Sequence, residues 1–230
     1  MSHDDANRNP THSQRAGGEM VVLIHGLAAN RFVMRPLEKR LRARGYDTRN
    51  WGYRSVWRPI ERHAERFRER LEALARREDV ERLHLVGHSM GSIITRYLVA
   101  SDPPPKLGRV VMLAPPNQGS RVARWLNRGL GYLSPPLAQL SDRPESFVNR
   151  LAANLDVECG VIAARRDRMV RLESTHLDGQ SDHAVFTAGH TSMLFYAGVA
   201  ELVDRFLQTG RFTASTDTAP AANAEQFASP

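Results

Sequence analysis

The chain has 230 residues, 41% of them hydrophobic, which suits one domain with a sizeable core and excludes wholesale disorder. No apolar run approaches the roughly 20 residues that span a bilayer. The polar start Met1-Ser2-His3-Asp4-Asp5 lacks the apolar segment of a secretory signal, and the single Cys159 excludes an internal disulfide, so a cytoplasmic location is expected.

The net charge is +7, and 16 of the 32 basic residues fall within 31–82. Only Lys39 and Lys106 are lysines, a bias of GC-rich coding more than of phosphate binding, so no nucleic-acid partner is expected. A weak membrane-surface contact through the arginines stays open, as does the oligomeric state.

Polar tails are expected over 1–18 and 211–230, flanking a domain over 19–210. Met20-Val21-Val22-Leu23-Ile24 reads as a short strand, apolar on both faces as in a covered parallel sheet. A helix over 31–44, closed by Gly45 in the left-handed conformation, leads to a weaker strand over 46–53. Residues 60–77 read as an amphipathic helix with Ile60, Phe67, Leu71 and Leu74 on one face. On its other face, Arg68, Glu72 and Arg76 are spaced for i,i+4 ion pairs. A strand over 82–86 and a helix after Ser89, stopped by Asp102-Pro103-Pro104-Pro105, come next. A strand over 109–113 follows. Residues 117–156 break the alternation: apolar residues from Val122 to Leu151, interrupted by Gly129, Gly131 and Pro135-Pro136, predict two or more short helices laid over the strand ends. Strands over 157–163 and 183–187 and a closing helix over 191–206 complete the pattern. The expected fold is α/β, with about six mostly parallel strands, helices on both faces and a helical insertion after the fourth strand.

Gly87-His88-Ser89-Met90-Gly91 sits between a strand and a helix, the setting in which Gly-x-Ser-x-Gly forms a sharp, strained turn that lifts the serine hydroxyl. A serine hydroxyl needs a base, a carboxylate to orient that base, and donors for an oxyanion. His190 follows the last strand on the same sheet edge as Ser89 and is the expected base; His176 lies in a connection and His183 at the start of a strand. The three histidines are spaced by seven, but Gly179 and Gly189 interrupt any shared helix, so no metal site is expected. Asp167, after the 157–163 strand, is the expected acid, with Asp178 and Asp182 as rivals; Arg165, Arg166 and Arg168 offer it an ion-pair role instead. The amides of Leu27, after the His25-Gly26 step, and of Met90 are the candidate oxyanion donors. Trp125, Leu126 and Leu130 are the candidate substrate wall. Cys159, inside an apolar strand, reads as a small core residue.

These motifs resemble the small bacterial α/β-hydrolases of the lipase/esterase type, related to the minimal triacylglycerol lipases. His25-Gly26-Leu27 resembles their oxyanion loop and Gly87-His88-Ser89-Met90-Gly91 their elbow. Ala114-Pro115-Pro116-Asn117-Gln118-Gly119-Ser120, Asp167-Arg168-Met169-Val170 and Gly189-His190-Thr191 resemble the segments that follow. Arg168 stands where relatives commonly carry glycine. The resemblance spans about residues 20–208 and implies hydrolysis of a small-molecule or lipid carboxylic ester through an acyl-enzyme on Ser89, without metal or organic cofactor. A thioesterase or acyltransferase would use the same three residues, and a non-catalytic hydrolase-like binding protein is the reading from another class.

Overall fold

The computed structural model describes residues 18–152 and 154–213, so the expected tails lie outside the described residues but for Gly18 and 211–213. Its strands are β1 (Glu19–Ile24), β2 (Asp47–Trp51), β3 (Arg82–His88), β4 (Leu107–Leu113), β5 (Cys159–Ala164) and β6 (Asp182–Phe186). They form one sheet in the order β2-β1-β3-β4-β5-β6, with every neighbouring pair parallel. Each parallel pair needs a crossover, and right-handed crossovers lay the helices on both faces.

Strand residues alternate between the two resulting cores. Met20, Val22 and Ile24 of β1 join Leu83, Leu85, Val110, Met112 and Val161 on one face. Val21 and Leu23 join Val86, Val111, Leu113 and Ile162 on the other. The first face is covered by α2 (Ile60–Ala75) through Ile60, Phe67 and Leu71, and by α3 (Met90–Ser101) through Ile93, Ile94 and Leu98. The second is covered by α1 (Arg35–Arg42) through Leu37 and Leu41, and by α6 (Ala197–Thr209) through Val199, Val203 and Phe206. Full burial of side chains of this size contributes about 1.5–3 kcal/mol each, which fixes the strand ends firmly under the site. Cys159 is 1% exposed in β5, and burial pushes its thiol up to about 12, so it is inert core.

Between β4 and β5 the chain forms α4 (Arg121–Leu130), capped by the Ser120 hydroxyl, and α5 (Pro135–Gln139). Arg96 of α3, 4% exposed, pins this insertion by donating to the carbonyls of Asn117, Leu151 and Ala152. No helix among the described residues is long and apolar enough to cross a membrane.

Several local expectations need correction. The helix expected over 31–44 divides into a 3-10 turn, Arg31–Met34, and α1, because Pro36 occupies the first turn of the α-helix and has no N–H to extend it backwards. Gly45, at φ 92°, does take the left-handed conformation. The closing helix also divides: Tyr196 is extended, at φ −88° and ψ 135°, between a 3-10 turn, Ser192–Phe195, and α6. Arg68 donates to Asp102 beyond the end of α3 rather than serving an i,i+4 pair, since that carboxylate and the Asp102 carbonyl both lie within its reach. Phe212, inside the expected tail, is 2% exposed against Phe206, and its amide donates to Asp182 Oδ2 at 2.7 Å.

Candidate active site

The turn after β3 holds Ser89 at φ 54° and ψ −123°, a conformation that L residues adopt only under constraint. Close packing supplies the constraint. A Cβ at Gly87 would stand 2.6 Å from the Ser92 backbone, and one at Gly91 would stand 2.4 Å from the carbonyl oxygen of Ile24. Both positions therefore exclude side chains. The Ser89 amide donates to the Leu113 carbonyl at 2.9 Å, and the Ser92 hydroxyl donates back to the Gly87 carbonyl at 2.8 Å. These bonds tie the turn to β4 and α3.

Parallel strands bring the ends of β1, β3, β5 and β6 to one edge. After β5, Asp167 buries its carboxylate, 2% exposed, beside His190 of the loop after β6. The contact is short, 2.6 Å from His190 Nδ1 to Asp167 Oδ2. Asp167 Oδ1 accepts the amides of Met169 at 2.7 Å and Val170 at 2.9 Å. Among the described residues the ion-pair partner of Asp167 is His190 rather than Arg165, Arg166 or Arg168. Because a carboxylate accepts, His190 carries its proton on Nδ1, which leaves Nε2 as a lone-pair acceptor. The rival acids are placed elsewhere. Asp182, at the start of β6 and so at the opposite edge, accepts the amides of His183 and Phe212. Asp178 is exposed in the turn before β6. His176 and His183 stack on each other, ring centroids 4.1 Å apart, away from His190. Among the described residues no group of three or more His, Cys, Asp or Glu is placed to hold a metal ion.

The chain leaving β1 passes directly over the serine: a Cβ at Gly26 would stand 2.9 Å from the Ser89 Cβ. Leu27 follows, then Ala28 at φ 53°. An aromatic column holds this loop. Phe67 stacks on Trp51, Trp51 on Tyr53 and Tyr53 on His25, with centroid separations of 4.7, 4.5 and 4.3 Å. The Tyr53 hydroxyl donates to the His25 carbonyl at 2.7 Å, and His25 Nδ1 donates to the Gly26 carbonyl at 2.9 Å. Met90 is the first residue of α3, a position whose amide has no partner within its own helix.

Ser89, Leu27 and His190 line one cavity of about 460 Å³. Leu126, Leu130, Leu137 and Leu140 of the insertion, with Met169 and Val170 after β5, make most of its apolar wall. Trp125 does not belong to that wall: it is 67% exposed and lines a separate depression with Arg121, Arg124 and Arg128. Helical spacing explains the difference, since 123, 126 and 130 share one face of α4 whereas 121, 125 and 128 share the other. Val56 and Trp57, in the loop after β2, also line the cavity and escaped the sequence reading. Their place beyond a strand end on the active edge was the available signal.

Burial leaves several histidines neutral. It lowers His63 to about 4, with the Arg58 charge a second cause, and His88 to about 3, with the His190 charge a second cause. His25 is lowered in the same way. An unfolded chain takes up these protons near pH 6.5 and the folded chain does not, so stability is full above that pH and falls as pH drops toward the folded values. Between pH 7 and pH 4 His88 alone should remove about 3 kcal/mol. Urea unfolding at the two pH values measures the loss, and replacing His88 by leucine should reduce it by about that amount, leaving the share of His63 and His25 in place.

A family model for the alpha/beta hydrolase fold matches residues 19–152. No curated protein matches the chain in sequence. Among solved structures, the mature lipase BlEst2 of Bacillus licheniformis superposes with a TM-score of 0.69 at 15% identity, covering 88% of this chain and 96% of that one. The Pyrococcus furiosus esterase Pf2001 gives 0.65 at 18% identity, covering 84% and 82%. Aspergillus fumigatus lipase B gives 0.69 at 15% identity, covering 83% and 52%. At these identities the likeness speaks to the fold alone.

Proposed function

From the premise that the chain belongs to the alpha/beta hydrolase fold family, we propose that it is a serine hydrolase of carboxylic esters, with Ser89 as nucleophile, His190 as base and Asp167 as the acid that orients His190. The observation that carries this reading is the buried Asp167–His190 pair, on the same strand edge as a serine held at positive φ, with His190 and that serine lining one apolar cavity. Ser89 Oγ attacks the ester carbonyl as His190 Nε2 takes its proton. His190 then protonates the departing alkoxide, and water repeats the sequence on the acyl-enzyme. The amides of Leu27 and Met90 stabilise the oxyanion, each contributing about 3 kcal/mol in the transition state.

Leu126, Leu130 and Leu137 give the acyl chain its wall. Each buried CH₂ contributes about 0.8 kcal/mol, so kcat/KM should rise roughly fourfold per CH₂ from p-nitrophenyl acetate through butyrate to hexanoate. Leu126→Trp would fill the cavity and lower the hexanoate-to-acetate ratio of kcat/KM at least about tenfold. No hydrolysis, or a rate independent of chain length in both proteins, would count against this assignment. Exposed Trp57 and Tyr132, with Arg121 and Arg128, also fit a weak contact with an anionic lipid surface, which would weaken as salt rises.

A further inference from the structure

The residue before the nucleophile does more than fill the elbow. His88 is 3% exposed, and its Nε2 lies 2.9 Å from the carbonyl oxygen of His190, 102 residues away in sequence. A carbonyl only accepts, so His88 carries its proton on Nε2 and donates it. Its ring tilts against that of His190, centroids 4.9 Å apart. Its other nitrogen faces the loop after β1, where a Cβ on Gly26 would approach to 3.4 Å. Three strand-end loops thus meet on one imidazole.

We propose that His88 is a positioning residue for the reaction assigned above: its Nε2–H bond to the His190 carbonyl holds the loop carrying the base against the strand end carrying the nucleophile. The proposal rests on that assignment of Ser89 and His190. The Asp167 contact orients the imidazole of His190 but leaves its backbone to be placed by the loop. The His88 bond places that backbone, and it does so from within the elbow itself. Charge completes the reason for a histidine here. His190 becomes an imidazolium in each proton transfer, and a second cation 4.9 Å away would oppose it. Burial keeps His88 neutral, with a value of about 3, so it donates its hydrogen bond without adding that charge.

The test compares His88→Leu, which removes the donor, with His88→Gln, whose amide NH₂ reaches the same carbonyl. A base displaced by about 1 Å costs about 100-fold. His88→Leu should therefore lower kcat for p-nitrophenyl butyrate by about 10- to 100-fold with KM little changed, and His88→Gln should recover to within about threefold of the unmodified protein. Near-UV circular dichroism checks that each variant is folded. If the leucine chain does not fold, His88→Asn, too short to reach the carbonyl, takes its place in the comparison. Equal losses in the glutamine variant and in the donor-less variant would mean that ring packing matters rather than the bond, and would overturn the proposal. Unchanged kcat in a folded donor-less variant would overturn it as well. Fluorophosphonate labelling of the unmodified protein at Ser89 separates the two levels. Its absence would defeat the assignment of the reaction, whereas its presence with an unaltered His88→Leu enzyme would defeat only the role of His88.

Discussion

Ser89→Ala should leave ester hydrolysis at least about 10⁵-fold below the unmodified enzyme, with no acyl-enzyme burst. The size of the loss follows from what remains. His190, Asp167 and the amides proposed to hold the oxyanion would persist, but water would have to attack in place of a tethered alkoxide. Folding should not suffer, because alanine accepts the same backbone conformation and the hydrogen bonds that fix the turn come from the Ser89 amide and from Ser92. Ser89→Gly should be equally inactive but more stable, by about 1 kcal/mol, since glycine relieves the cost of φ 54°. Thermal melts of the three proteins beside their rates check both points. Activity surviving in Ser89→Ala would remove the nucleophile from the mechanism.

Asp167→Asn should lower kcat by about 10³- to 10⁴-fold while leaving the fold intact. Oδ1 receives two backbone amides, from Met169 and Val170. In the variant those amides would hold the side-chain oxygen in place and turn its NH₂ toward His190. An NH₂ donates, so His190 Nδ1 would have to accept, and its proton would move to Nε2. The nitrogen needed as base would then carry a proton at the start of the cycle. Asp167→Ala should be as inactive but also less stable, because two amides would lose their acceptor. A kcat for Asp167→Asn within tenfold of the unmodified enzyme would mean that the pair is structural only.

Much of this arrangement was legible in the sequence because it depends on local rules. The elbow glycines, the strand that precedes them and the helix that follows announce a constrained turn, and every Cβ clash at Gly87 and Gly91 follows from that turn. The parallel alternation then places the loops after β5 and β6 on the same edge, which favours Asp167 over Asp182 before any distance is known. What escaped depends on which way a side chain faces. Composition marked 117–156 as apolar, but Trp125 and Leu126 are neighbours in sequence and point to different surfaces, because the rotation of α4 is set by its packing against the insertion's own residues. Trp57 is faint for a related reason: apart from its place beyond a strand end, a lone tryptophan between arginines in a loop has no periodicity to read. His88 occupies a variable position of the Gly-x-Ser-x-Gly pattern, which assigns it no role. Its bond to the His190 carbonyl joins segments whose proximity only the folded sheet creates. The break at Tyr196 belongs to the same class, since nothing in the local sequence marks it, whereas the one before Pro36 follows a local rule, proline belonging to the first turn of a helix.

Treatment with a fluorophosphonate, followed by digestion and mass mapping of the modified peptide, probes the chemistry at a single atom. One adduct per chain is expected, on the peptide containing Ser89, forming slowly or not at all in Asp167→Asn. A full adduct on any other residue, or none on a folded and intact chain, would contradict the assignment of Ser89 as an activated nucleophile.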